Sequence, residues 1–158
     1  MRERYIKKEE FKERVLDMRR VARVMAGGKR FRFRATVVIG DERGRVGVGV
    51  AKGLDVASAV AKAKSEGKKN LLHLSLKDGR TIAHEVKAKY SAAQVIIKPG
   101  KSGHGLKAGG AVRFVLSLAG IKDASAKCLG RTPNKLTNAL AAIAALRQLR
   151  PPRETAAK

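Results

Sequence analysis

The chain of 158 residues contains no tryptophan, one cysteine, four prolines and little acid. A single cysteine, Cys128, excludes an intrachain disulfide framework and fits a reducing compartment. Aromatic residues make up 4% of the chain, which argues against a protein that stacks many unpaired bases on aromatic platforms. No apolar run approaches the roughly 20 residues of a membrane span. The charged stretch from Met1 to Phe11 lacks the apolar core of a secretory signal. His73, His84 and His104 have neither metal-ligand spacing nor a cysteine partner. No nucleophile–base constellation is visible, so neither a catalytic site, a metal nor a cofactor is expected.

Positive charge is what the chain has in excess. Thirty-six Lys and Arg face thirteen Asp and Glu, a formal net charge of +23. Such a surface repels itself unless a polyanion screens it, and nucleic acid is the usual polyanion. Hydrophobic residues are 44% of the chain, enough for a folded core.

Residues 1–12 read as a flexible, charged segment, and mobility is expected up to Glu13. Val15 to Met25 reads as extended, and Gly27-Gly28 as a turn or loop tip. The clearest strand follows. Phe31, Phe33, Ala35, Val37 and Ile39 fall on one face; Arg30, Arg32, Arg34, Thr36 and Val38 fall on the other. Gly40 to Gly44 is a hairpin loop, with Gly44 suited to a left-handed position. The returning strand sets Val46, Val48 and Val50 against Gly47, Gly49 and Ala51, a small-residue face that admits a close neighbour. Asp55 to Leu71 reads as a helix, with Val56, Ala59, Val60, Ala63 and Gly67 at helical spacing and Lys62, Lys64, Lys68 and Lys69 in its later half.

The pattern restarts after Leu72. Lys77 to Arg80 is a turn, and Ala83 to Tyr90 and Ala93 to Lys98 are strands joined tightly near Ser91-Ala92. Pro99 to Gly110 is a glycine-rich loop, Ala111 to Ala119 a helix stopped by Gly120, and Ile121 to Lys127 a short strand. Thr132 as N-cap and Pro133 in the first turn open a last helix reaching about Leu149, with Leu136, Leu140, Ile143 and Leu146 as core positions. These elements give an α/β chain with a domain over 13–74, a second over 75–150, and a tail over 151–158.

The arginine comb Arg30, Arg32, Arg34 is the sharpest signal. Alternate strand residues lie about 6.7 Å apart on one face. That step is comparable to the separation of successive phosphates, so three cations can track a nucleic-acid backbone. Arg19, Arg20, Arg23 and Lys29 lie near in sequence, and Lys52, Lys68 and Lys69 extend the candidate RNA-binding set. A charged edge strand that avoids aggregation is the competing reading. The loop 99–110 leaves two readings open, a packing turn or an anion cradle at a helix N-terminus. It is not a Walker A loop, because Val95 stands where the first glycine is required.

Three stretches resemble the signature of bacterial small-subunit ribosomal protein five. They are Gly27 to Ala35 continuing through Gly40-Asp41 and Gly44 to Gly49 to Ala51-Lys52; Lys98-Pro99 through Gly103-His104-Gly105 to Arg113 and on to Leu118 to Asp123; and Thr132-Pro133 with the helix ending Ala145-Leu146. The chain departs from the usual pattern at Ala26, His104 and Lys135.

The resemblance implies an N-terminal double-stranded-RNA-binding-like sheet with a helix, and a C-terminal βαβ-containing domain with a left-handed crossover. It implies a structural constituent of the small ribosomal subunit in the cytoplasm, bound to 16S rRNA, to mRNA at the entry side, and to small-subunit ribosomal proteins four and eight. It implies no membrane and no homo-oligomer. Spectinomycin-resistance changes fall around Gly27 and Gly28 in this family. Gly105 and Arg113 are implied to face ribosomal protein four and to influence decoding accuracy. A free RNA chaperone and a small phosphotransferase are the competing functions; the second would need acidic groups for magnesium that the C-terminal half scarcely has.

Overall fold

A computed structural model describes residues 11–150. The first sheet is antiparallel, in the order β1 (Lys12–Met25), β2 (Gly28–Gly40), β3 (Arg45–Gly53) and β4 (Leu72–His73). Helix α1 (Val56–Lys69) links β3 to β4. The second sheet runs β5 (Val86–Tyr90), β6 (Ala93–Pro99), β8 (Ala124–Cys128), β7 (Leu106–Lys107). Helix α2 (Gly110–Leu118) joins β7 to the adjacent parallel strand β8, a βαβ unit. Helix α3 (Lys135–Arg147) follows. The expected α/β class with two sheets is the observed one, and no described helix is long and apolar enough to cross a membrane.

Strand β2 divides the molecule. Ala35, Val37 and Ile39 join Ala59 and Ala63 in a small core beneath α1. On the other face Val38 joins Leu16, Val46 and Val48 in a larger core with residues of α2, α3 and the second sheet. The body end of β2 is therefore buried on both faces, and the expected half-buried strand becomes a central layer. A register shift between Val15 and Asp17 in β1 accompanies this, with Leu16 turned into the larger core.

The small face of β3 admits α1. A Cβ on Gly49 would lie 1.9 Å from the Ala63 carbonyl oxygen, and one on Gly47 2.4 Å from that of Gly67. No side chain fits at either position, so helix and strand meet backbone to backbone. Val56, expected in the helix core, is exposed instead.

Several boundaries differ from the sequence reading. Strand β1 begins at Lys12, and Phe11 already packs against the α1 core. Residues 1–10 and the tail 151–158 lie outside the described residues. The two-residue strands β4 and β7 were not expected, because two residues carry no periodicity. Strand β5 starts at Val86 and β8 at Ala124, later than expected. Thr132 is not the cap of α3: Asn134 is, its side chain accepting from the Leu136 N–H at 3.1 Å. Thr132 instead accepts from the Asn134 N–H at 3.3 Å, which leaves Pro133 ahead of the helix. Ile143 and Leu146 are buried as expected, whereas Leu136 and Leu140 are partly exposed. Ala139, Ala141, Ala142 and Ala145 are buried too, because α3 packs against both α2 and the second sheet.

Candidate nucleic-acid interface

Beyond Phe33, β1 and β2 continue without β3, whose pairing with β2 starts at Phe33↔Gly53. The result is a two-stranded arm ending in the turn between Met25 and Gly28. Gly28 has φ +115°, and the space around it is open. A side chain there would be strained by backbone conformation alone. The tip Ala26 to Lys29 is exposed.

The pairing register sorts the arm's side chains. Arg19 pairs with Arg34, Val21 with Arg32 and Arg23 with Arg30. Directly paired residues share a face. Arg34 also pairs with Lys52 of β3. One face thus carries Arg19, Arg23, Arg30, Arg32, Arg34 and Lys52, with the row Arg19–Arg34–Lys52 crossing three strands. Like charges placed directly opposite each other destabilise a sheet. Among the described residues, one acid on this face is paired with the row: Asp17 accepts from Arg19 Nε at 2.7 Å. That exposed pair contributes little. Lys135 at the start of α3 approaches the same Asp17 at 4.0 Å. Asp17, Arg19, Arg34, Thr36, Asn134 and Leu136 enclose a small cleft of about 40 Å³ where the comb meets the second half of the chain.

Not every candidate joins this face. Arg20 pairs with Phe33 and lies on the opposite face, its guanidinium carbon 4.5 Å from the centre of the Phe31 ring. Lys29 pairs with Val24, also on that side. Lys68 and Lys69 end α1, which packs on the sheet face away from the comb. Lys69 pairs with Glu66 at 3.5 Å, and Lys68 sits 5.7 Å from the Phe11 ring centre.

The glycine-rich loop is organised from inside. Asp123 is 2% exposed, and its carboxylate accepts from the Gly105 N–H at 2.9 Å and from Arg80 Nε at 3.0 Å. Its carbonyl oxygen accepts from the Thr81 hydroxyl at 2.6 Å. The Gly105 N–H is the chief cause that holds the carboxyl below its ordinary range. Burial opposes it, and Arg80 and the Gly103 N–H add to it. An internal carboxylate thus takes a loop N–H five residues ahead of α2, which favours the packing turn for this part of the loop. In the sequence Asp123 stands out only as the end of a family-like stretch; nothing there brings it to Arg80, 43 positions earlier.

Gly105 has φ +75° and precedes Leu106. Leu106 and the exposed Arg113 line a broad cleft of about 570 Å³, together with Lys12, Arg14, Phe114 and Lys122. Glu42 on its rim is bonded to Lys12 at 2.7 Å. The cleft is therefore lined by four cations, Lys12, Arg14, Arg113 and Lys122, beside Phe114 and the apolar Leu106, Leu118 and Ile121.

No group of three metal-ligating side chains occurs among the described residues. Burial pushes the Cys128 thiol up, against the opposing charge of Lys127, so it is no activated thiolate.

The chain matches two family models in tandem, "Ribosomal protein S5, N-terminal domain" over residues 11–75 and "Ribosomal protein S5, C-terminal domain" over residues 88–158. It is 50% identical over 144 residues to "Small ribosomal subunit protein uS5c" of Guillardia theta, covering 91% of this chain and 85% of that protein. It is 49% identical over 150 residues to "Small ribosomal subunit protein uS5" of Synechococcus elongatus, covering 95% and 83%. The Cyanophora paradoxa protein "Small ribosomal subunit protein uS5c" is 49% identical over 144 residues, covering 91% and 85%. Its relatives are ribosomal proteins and not enzymes, and their place is the ribosome, in a bacterial cytoplasm or a plastid stroma. The chain belongs to the ribosomal protein S5 family, as a structural constituent of the small ribosomal subunit.

Proposed function

We propose that the chain binds 16S rRNA chiefly through the comb face of the arm, by contacts to the RNA backbone. The observation that carries this reading is the register that stacks Arg19, Arg34 and Lys52 across three strands and sets Arg23 opposite Arg30. Free in water, those rows repel; against a phosphate backbone, each cation gains a partner and releases a counterion. Arg20, Lys68 and Lys69 serve other surfaces of the same RNA envelope, and the tip Gly27–Gly28–Lys29 reaches the RNA that lies beyond the arm.

The second half of the chain, with the domain boundary near residue 75, carries the protein contacts. Arg113 and the loop at Gly105 face ribosomal protein four, and ribosomal protein eight and the mRNA entry side complete the surroundings. The cationic cleft around Arg113 supports an acidic partner surface held by charge-assisted hydrogen bonds. Those contacts bias the small subunit between states of different decoding accuracy.

The test is the salt dependence of binding to small-subunit particles that lack this chain. Each lost phosphate contact lowers the log–log slope by about 0.7–0.9 units. The triple variant Arg30→Gln, Arg32→Gln, Arg34→Gln is expected to lose roughly two to three units. An unchanged slope overturns the reading.

A further inference from the structure

The face of the arm opposite the comb has its own chemistry. It carries Arg20, Ala22, Val24, Lys29, Phe31 and Phe33 by the pairing register. Phe33 packs against the α1 core, but Phe31 lies one step beyond the reach of β3 and is 48% exposed. Val24, diagonal to it, is 73% exposed. Arg20 covers the ring at 4.5 Å, the distance of a cation–π contact. That contact holds the ring's orientation and adds a positive charge beside it. Large apolar side chains exposed on a thin arm are not there to stabilise a core.

We propose that Phe31, held by Arg20, is a stacking seat for one unpaired base of the ribosomal RNA. The proposal rests on the backbone reading of the comb and adds a second mode of contact on the other face of the same arm. Two features of the arm select a nucleobase as the occupant. The apolar surface is framed by Arg20 and Lys29, and the opposite face bears five arginines, so a polyanion approaches from either side. A base brings a flat apolar face and an attached phosphate together, which matches a ring beside a guanidinium. An apolar protein surface would bring the first without the second.

Stacking and phosphate contact differ in their response to salt. Stacking changes affinity without changing the number of counterions released. The full-length chain is therefore titrated, at several salt concentrations, onto small-subunit particles that lack it. Phe31→Leu keeps the apolar bulk and removes the flat ring. It is expected to weaken binding about tenfold or more at every salt concentration, with the log–log slope unchanged. Phe31→Tyr is expected to bind like the unmodified chain. Phe31→Trp, introduced as 5-hydroxytryptophan and excited apart from the particle's own tryptophans, is expected to be quenched on binding, as by a stacked base. Wild-type affinity in Phe31→Leu overturns the seat. So does a blue shift without quenching in Phe31→Trp, which marks an apolar protein partner instead. The two readings fail separately: a comb variant that leaves the slope unchanged sinks the backbone contacts, whereas a neutral Phe31→Leu beside an altered comb slope sinks only the stacking seat.

Discussion

The two ends of one strand pair behave as different materials. From Ala35 to Gly40, β2 is buried on both faces, between α1 on one side and the C-terminal half on the other. From Gly28 to Arg32 the same strand, paired with the same neighbour, is exposed on both faces. Alternation with period two runs through both ends unchanged, so alternation says which residues share a face and nothing about what covers that face. The body end is covered by the chain's own apolar groups. The arm carries cations on one face and an exposed phenylalanine on the other, and its cover has to come from outside.

The largest effect is expected from damage to the body end alone. Gly49→Ala forces a methyl group into the Ala63 carbonyl, so helix and sheet have to separate. A cost of about 3 kcal/mol is expected from such overpacking. For a chain of this size that lowers the melting temperature by roughly 6–12 °C. Thermal unfolding followed by circular dichroism checks this. A variant that melts with the parent would mean that the close approach of α1 is not what holds the sheet.

Next in size is the loss of internal carboxylate bonds. Asp123 and Asp41 both sit below their ordinary range in the folded chain. At Asp41 burial pushes the carboxyl up, but the Arg45 guanidinium at 2.6 Å and the N–H groups of Arg43 and Arg45 outweigh it. A folded value below the unfolded one gives stability that is complete above the ordinary carboxylate value of 3.8. That stability is lost as the pH falls through 3.8 toward the depressed folded value. Asp123→Asn is expected to lower stability at neutral pH and to flatten the acid limb of the stability curve. If variant and parent decline in parallel below pH 4, Asp123 is not the group that ties the Gly105 loop to Arg80.

Smaller effects are expected at the arm. Gly28→Ala meets no neighbour and costs only backbone strain, on the order of 1–2 kcal/mol, confined to the exposed tip. Its main consequence is expected in function, as altered spectinomycin sensitivity of ribosomes carrying the variant. A large drop in melting temperature with normal sensitivity would show that the tip belongs to the body. Arg113→Leu, on the cleft wall, is expected to leave stability nearly unchanged and to raise misreading. Wild-type accuracy in ribosomes that incorporate the variant removes Arg113 from the proposed contact with ribosomal protein four.

Much of this was legible in the sequence, and the gaps have physical causes. The comb, the hairpin at Gly44 and the small face of β3 follow from local alternation and glycine chemistry. What alternation could not supply was the register between β1 and β2, which puts Arg19 and Arg23 with the comb and sends Arg20 to the other face. The faces of β1 depend on its pairing, and its register shift near Leu16 leaves no mark in composition. Phe31 reads as a core residue by pattern, and only the length of β3 exposes it. The Asp123 hub joins residues 43 positions apart, a long-range fact outside any window of the sequence.

If the comb face exists for a polyanion, as proposed, it is unfavourable in the free chain. The direct measurement is the melting temperature of the free protein at low ionic strength, with and without Arg30→Gln, Arg32→Gln and Arg34→Gln. Removing directly opposed like charges is expected to raise the melting temperature by a few degrees, since each such pair costs on the order of 0.2–1 kcal/mol. The gain should shrink as added salt screens the repulsion. A triple variant that melts lower than the parent at low salt would show that the arginines stabilise the fold, and would contradict the account.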